Sequence, residues 1–506
     1  MMDKNKINLA NLLVIDCLEV GPVQLDKNRL IAPYILTKGN TKDQIQLMYR
    51  YEEPVFDITD PASLNLASMI AVQVAINYGL FCKKIVFHGI FDKNDRKFIK
   101  DMMENTAREI YVKKFLEPNT FLTAEYKNIP ILKLDSYSQA ELIFRNKPCD
   151  TVLADTEWET DRNAYAISSS GGKDSLLTFG LLRELGNKTY PVFINESGKH
   201  WYTALNAYRD FKKNVPDTIR VWTNSDRVFS WMLRHFPFIR KNFPGIRSDE
   251  YPIRLWTVAV FLFAALPCLR KRKIGRFIIG DEFDTTIKMY YHKIPHYNGL
   301  FDQSRFFDYQ LSLYYYKKKW NIEQFSILRF LSELLILKIL AERYPALQSN
   351  QISCHATHIK NGRVYPCGKC EKCRRIVCML IALNKNPKNC GYNDEQIKYC
   401  LRSIATKGVH QEVEGAEHMR YLLKKKNVVP GNDGFTGKEN PEVMKIRVDS
   451  KYSPLKDIPR ELRIPLFTLL LKYAEGSVEK NNGIWNDINI LNKEYISVPY
   501  SLENLI

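Results

Sequence analysis

Long hydrophobic runs are scarce in this chain. The most apolar stretch, residues 255–269, is fifteen residues long, short of the roughly 20 that a bilayer-spanning helix needs. Pro267 sits near its end, so it reads as a buried helix, and no membrane partner is expected. No secretory leader is expected either: residues 1–6 are polar, and the apolar run near Leu12 is broken by Asp16 and Glu19. Fixed-period repeats and low-complexity tracts are missing, which excludes solenoid and compositionally biased architectures. Negative charge is in deficit, with 56 acidic against 74 basic residues and a net charge of +18.

What is present belongs to an ordinary folded protein: 45% apolar, 12% aromatic and 26% charged residues exclude a predominantly disordered chain. At roughly 100–200 residues per domain, 506 residues predict about two to four domains. The basic surplus points to phosphates, nucleic acid or an acidic partner, with solubility as the bland alternative. It is not uniform. Residues 199–273 hold 15 basic and 5 acidic side chains, whereas residues 401–506 hold 16 and 14. Four of the eleven cysteines fall between Cys354 and Cys373. Without a leader they read as thiols or metal ligands and not as disulfides, and a cytoplasmic enzyme is the expected class.

Three regions are expected. Residues 1–161 form an N-terminal mixed α/β domain with strands near 12–16 and 85–88. A helix over 61–80 follows Thr59 or Asp60 as N-cap and carries Pro61 in its first turn. It bears no catalytic signature, so a packing or partner-recognition role is expected. Residues 162–404 contain every strong motif. Residues 405–506 form a mainly helical C-terminal extension, with a turn-rich loop over 429–434, a helical pattern over 462–473, and Lys424, Lys425 and Lys426 at a helix C-terminus.

The first motif lies between a short buried strand ending at Ser168 and a helical pattern starting near Leu176: Ser169, Ser170, Gly171, Gly172, Lys173, Asp174, Ser175. A strand that turns through glycines into a helix presents unpaired N–H groups to an anion. Gly171 and Gly172 allow close approach of phosphate oxygens, Ser170 and Ser175 add hydroxyls, and Lys173 adds charge. Asp174 is suited to holding the loop or binding Mg²⁺. The Walker pattern is excluded, because it requires Ser or Thr after the lysine. A serine- and glycine-rich turn without chemistry is the alternative. The second motif is Cys354 followed by Cys367, Cys370 and Cys373. Four thiolates from one knuckle suit tetrahedral Zn²⁺ in a closed structural site. An iron–sulfur cluster and four unligated thiols are the other readings. Cys378, Cys390 and Cys400 read as core residues.

The loop resembles the S-G-G-x-D-S loop of the PP-loop ATP pyrophosphatases, which cleave ATP between its α and β phosphates. Together with the cysteine knuckle, residues 165–379 resemble 7-cyano-7-deazaguanine synthase, an enzyme of deazapurine biosynthesis. Tyr190 to Ile194 matches its second strand, Gly198, Lys199 and His200 its G-Q-R-H segment, and Pro252, Ile253 and Arg254 its P-A-R-N segment. Phe277 to Gly280 resembles a core strand. Gly299, Asp302 and Arg305 match its G-Y-P-D-C-R segment. The departures are Gln303 in place of cysteine, an insertion between Gly280 and Gly299 carrying Asp281, Glu282, Asp284, His292 and His296, Glu333 near an expected lysine, and a longer first cysteine gap. The added outer regions are similar to those of relatives in anti-phage defence operons.

The resemblance implies an α/β fold with a PP-loop parallel sheet core and a C-terminal zinc knuckle, with ATP, Mg²⁺ and Zn²⁺ as cofactors. It implies an ATP-dependent ligase that adenylates a 7-carboxy-7-deazaguanine-like acid and passes it to ammonia or a protein amine. By the same carry-over, Ser168 to Ser175 with Lys199 and His200 bind ATP. Lys173 and Asp174 are catalytic, Asp302 reads the guanine-like edge, and Arg254 and Arg305 hold the substrate carboxylate or phosphates. A tRNA-modifying enzyme and a non-catalytic nucleotide-binding subunit are the alternatives. For Asp302, Arg254 and Arg305 the competing expectation is a surface ion pair or a satisfied core group, and for His292 and His296 that plainer expectation is preferred.

Overall fold

The computed structural model describes residues 9–145, 157–198, 201–246, 251–430 and 434–503. Its strands are β1 (Ile15–Val20), β2 (Gln24–Asp26), β3 (Arg29–Lys38), β4 (Thr41–Tyr51), β5 (Cys82–His88), β6 (Glu141–Arg145), β7 (Asp161–Ser168), β8 (Lys188–Glu196), β9 (Ile219–Thr223) and β10 (Ile274–Ile278). They continue with β11 (Lys288–Tyr291), β12 (Ile294–Tyr297), β13 (Glu323–Phe325), β14 (His358–Lys360), β15 (Arg363–Tyr365), β16 (Ile446–Val448), β17 (Ser477–Asn481) and β18 (Ile484–Ile488).

Eleven strands share one mixed sheet in the order β13–β10–β7–β8–β9–β4–β3–β1–β5–β6, with β2 on β3. The run from β13 to β9 is parallel throughout, and β1, β5 and β6 are parallel again. Parallel strands must be buried on both faces, and β7 meets that demand by alternation. Ala164 and Ala166 join one apolar layer while Tyr165 and Ile167 join the other. Against the first layer lies the helix Val258–Lys271. Its fourteen residues span only about 21 Å. Among the described residues, no helix is long and apolar enough to cross a membrane.

The boundary expected at residue 161 coincides with no break in the sheet. Strand β4 pairs with β9 through Tyr49↔Thr223, Arg50↔Trp222 and Tyr51↔Val221. A single apolar cluster runs from Leu12 to Ile322. In the expected helix over 61–80, Asp60 accepts the Ala62 N–H and Pro61 takes the first position. The α-helix ends at Val72 and tightens into a 3-10 segment, Gln73–Tyr78.

The C-terminal extension carries the expected helices and adds a small sheet to them. Helices Val413–Lys425 and Arg460–Leu470 are present, with Lys424 and Lys425 in the last turn of the first. A three-stranded sheet β16–β17–β18 accompanies them. Its hairpin turns at Asn482 and Gly483, both with positive φ, the geometry an Asn-Gly pair adopts most readily. Of the expected 429–434 loop, residues 431–433 lie outside the described residues.

Glu109, on the helix Lys93–Ile110, accepts the Tyr297 N–H at 3.2 Å and ties β12 to the N-terminal region. Burial pushes its carboxyl up to about 7, with Lys113 and Arg108 opposing the shift. The folded state therefore holds a proton that the unfolded chain releases between about pH 4.5 and 7, so this group's contribution to stability falls as pH rises through that window. In urea titrations, Glu109→Gln should gain on the wild type between pH 5 and pH 8.5, by up to about 3 kcal/mol. An unchanged difference would contradict this assignment.

Candidate functional site

The chain leaves β7, builds β8 and β9 to one side, and then places β10 on the other side of β7. The order of the parallel block thus reverses at β7, and ligands of open α/β sheets bind at the carboxyl ends of strands beside such a reversal. Ser168 to Gly172 leave β7 there, and Ile279 to Glu282 leave β10 beside them. Gly171 has φ +74, and a Cβ on it would lie 2.8 Å from Ala204 Cα and from the Thr203 carbonyl. Gly280 is as constrained, since its Cβ would sit 2.9 Å from the Asp174 backbone carbon. The helix Lys173–Glu184 starts from Gly172 with no side-chain cap. Its first-turn N–H groups and its dipole therefore favour an anion. Ser175 Oγ donates to the Gly172 carbonyl, Ser169 Oγ to the Ile167 carbonyl, and Ser170 Oγ accepts weakly from Gly172 N–H at 3.4 Å.

This loop opens into a cavity of about 740 Å³. Lys173 Nζ is buried there, 2.8 Å from Asp174 Oδ1, 3.0 Å from Glu333 Oε1 and 3.8 Å from Glu282 Oε2. Burial opposes its charge, but Asp174, Glu282 and Glu333 together push its ammonium pKa up. Glu282 is raised well above the usual carboxylate range by burial and by Asp174, and Asp284 is raised to about 7 by burial and by Glu412. Glu333 goes the other way. Burial disfavours its charge, yet Arg375 at 3.5 Å and Lys173 outweigh that and lower its pKa. The loop N–H groups thus suit an anion, and the carboxylates gathered around Lys173 suit a cation. A more open groove of about 910 Å³ between the helix Lys93–Ile110 and β6 is larger. It contains none of the loop residues, so its size does not make it the site.

The other expected site residues divide. Arg254 reaches the cavity, with its guanidinium 3.7 Å from the Tyr251 ring and 4.5 Å from the Phe229 ring. Asp302 is turned elsewhere: its Oδ2 accepts the N–H groups of Thr257 (2.8 Å), Val258 (2.7 Å) and Ala259 (3.1 Å). It caps the helix Val258–Lys271 from outside that helix, and burial raises its pKa to about 6 despite the three N–H groups. Arg305 also faces away, forming a two-pronged pair with Asp457 of the C-terminal extension, Nη2 to Oδ1 at 2.8 Å. For these two residues the partners found are structural, although Asp302 Oδ1 is buried without a hydrogen bond. Lys199 and His200 lie outside the described residues, although Gly198 before them lines the cavity. His292 is exposed on the β11–β12 turn, and His296 is buried beside Glu117 at 3.5 Å, neither in the cavity.

Cys354, Cys367, Cys370 and Cys373 converge, with all four sulfurs within 4.8 Å of one another. Three of the separations are 3.5, 3.8 and 4.0 Å. A tetrahedron of sulfurs about 2.3 Å from a central Zn²⁺ has edges of about 3.8 Å, so the set fits one ion with no open position. Backbone N–H groups of Ala356 and Cys367 point at Cys354 Sγ, and those of Lys369 and Cys370 at Cys367 Sγ, which stabilises thiolates. The long gap after Cys354 folds into the β14–β15 hairpin, turned by Asn361 and Gly362 with positive φ. Ile352 N–H donates to the Gly171 carbonyl at 3.4 Å, so the knuckle abuts the loop, and Cys354 lines the cavity.

The fold and site define an α/β protein with a large mixed, mostly parallel sheet and a four-cysteine cluster that could bind a metal. No family model matches the chain, and no curated protein matches it.

Several cavity residues escape sequence reading. Glu196 ends β8 and Asp226 opens the helix after β9, and nothing in the local sequence marks either as functional. Arg375, on the helix Glu371–Ala382 that follows the cysteine knuckle, also lines the cavity and lies 3.5 Å from Glu333.

Two outcomes follow from this geometry. Purified protein should contain about one zinc per chain by elemental mass spectrometry and be colourless, and Cys370→Ser should lose it; a brown protein with iron would overturn the single-ion assignment. Asp302→Ala should cost about 2–4 kcal/mol in denaturant titrations, because three buried N–H groups lose their acceptor. A loss below half a kcal/mol would contradict the capping role.

Proposed function

We propose that this chain is an ATP-dependent ligase that adenylates a carboxylic acid of the 7-deazaguanine class and transfers the acyl group to an amine, ammonia or a protein amine. The observation that carries the reading is the uncapped helix start at Lys173, reached through Gly171 and Gly172 at the strand reversal and lining one cavity with the carboxylates of Asp174, Glu282 and Glu333. A triphosphate carrying a divalent cation satisfies the N–H groups and the carboxylates at once. Its oxygens match the loop N–H groups and Lys173, and Mg²⁺ matches Asp174 and Glu282, where it would offset phosphate repulsion.

A carboxylate is a poor acyl donor because its leaving group is an oxide. In the proposed reaction the substrate carboxylate oxygen bonds to the α-phosphorus, and the bond from that phosphorus to the pyrophosphate oxygen breaks. Charge develops on the departing pyrophosphate, where Lys173 and the loop N–H groups are already oriented, so little reorganisation is needed. The amine nitrogen then bonds to the acyl carbon, the bond to AMP breaks, and the nitrogen gives up its proton. Glu333 keeps Lys173 buried and charged until the phosphates compete for it.

With ATP, Mg²⁺, 7-carboxy-7-deazaguanine and an amine supplied, carboxylate-dependent pyrophosphate release is expected, and Lys173→Ala should slow it about 100-fold or more. Release independent of the acid, or undiminished in that variant, would sink the proposal.

A further inference from the structure

Beside the loop cavity lies a second, smaller one of about 190 Å³, lined by Tyr78, Phe121, Phe229, Leu233, Phe243 and Tyr251 among others. It has the room of about six waters, enough for a one- or two-ring system and too little for a nucleoside triphosphate. Arg254, Tyr251 and Asp226 line both cavities, so the two adjoin along this edge.

Arg254 is the group that needs explaining. Its side chain is 10% exposed, lies between two aromatic rings, and has Glu196 Oε1 3.5 Å from Nη1. That nitrogen is buried and makes no hydrogen bond. Glu196 offsets part of the cost of burying this guanidinium but gives Nη1 no hydrogen bond, and the guanidinium fork matches a ligand carboxylate. Asp226 supplies the opposite polarity. Its Oδ1 accepts from Ser197 Oγ at 2.6 Å, and its Oδ2 lies so close over Gly198 that a Cβ there would be 2.6 Å away.

The N-terminal region completes this pocket, most of which is lined by residues 226–254. Tyr78 and Phe121 come from it. Asn77 Oδ1 accepts the N–H groups of Leu255 and Trp256, both at 2.9 Å, and Asn119 Nδ2 donates to the Pro252 carbonyl at 3.0 Å. The segment carrying Arg254 is therefore fixed from both sides by residues outside the loop-bearing region.

We propose that this pocket is the subsite for a planar heteroaromatic carboxylic acid: its ring lies among the aromatic side chains, a ring N–H is accepted by Asp226, and its carboxylate meets Arg254 at the edge of the loop cavity. The proposal rests on the adenylation reading and deepens it by assigning the acid's ring to the pocket between residues 226–254 and the N-terminal Tyr78 and Phe121, and not to Asp302.

The test is a calorimetric titration of the full chain with two probes, 7-carboxy-7-deazaguanine and indole-3-carboxylate, the latter a bicyclic acid without the guanine edge. Leu233→Trp, which fills the pocket, should weaken both by at least about tenfold, with ATP affinity and circular dichroism unchanged. Ser230→Leu is the second filling variant should the tryptophan misfold. Arg254→Met should weaken both acids, and Asp226→Asn the deazaguanine acid alone. Failure of the wild-type chain to bind either acid, or unchanged binding in a folded filling variant, overturns the subsite. If acid-dependent pyrophosphate release persists in Leu233→Trp, the subsite falls while adenylation stands. If the acids bind and the variants lose them but no pyrophosphate is released, adenylation falls and the subsite stands.

Discussion

The buried ammonium of Lys173 sets the terms for everything around it. A charge removed from water at the end of a parallel strand is tolerable only with opposite charges close by. Asp174, Glu333 and Glu282 supply them. Those carboxylates outnumber the lysine, so further cations are recruited behind them: Arg375 on Glu333, and Arg329 on Asp281 at 3.4 Å and on Asp308 at 2.5 Å. The cavity is the centre of an arrangement of alternating charge, with Lys173 innermost among its three carboxylates.

That arrangement gives the C-terminal extension a physical task. Arg447 pairs with Glu412 and stacks 3.9 Å from the Phe283 ring, inside the acidic segment that follows β10. Arg305 pairs with Asp457 across the same boundary. The extension also shares an apolar cluster with β7 and the loop helix, through residues such as Ile446, Leu466 and Phe467. It backs the acidic wall of the site. The N-terminal region does the equivalent on the other side, through β4 on β9 and through Asn77 and Asn119 at the segment holding Arg254.

The parts of the fold legible in the sequence were those governed by local rules. The β7–loop–helix unit, the buried helix Val258–Lys271, the Asp60 cap and the cysteine spacing all rest on periodicity, capping and ligand geometry over short spans. The C-terminal sheet was legible in principle. Asn482 and Gly483, like Asn361 and Gly362, are hairpin signals, but they were outweighed by the helical pattern nearby. Asp302 was not legible: an isolated aspartate looks the same whether it reads a ligand or caps a helix 45 residues earlier in the chain. The same holds for Arg305, whose partner Asp457 lies 152 residues away.

By itself, the sequence determined the chemistry on offer: a glycine-rich anion loop with one lysine, four thiolates spaced for one ion, and basic residues gathered in the middle of the chain. Backbone geometry and ligand spacing are local properties, so a short stretch of residues suffices to specify them. Only the tertiary structure decided which charged groups face the cavity and which serve the fold, because that depends on burial and on partners brought together from distant segments. Desolvation is what separates the two outcomes. Arg305 is held by two hydrogen bonds to the Asp457 carboxylate, whereas Arg254 lies desolvated between two rings, with Glu196 at 3.5 Å and Nη1 without a hydrogen bond.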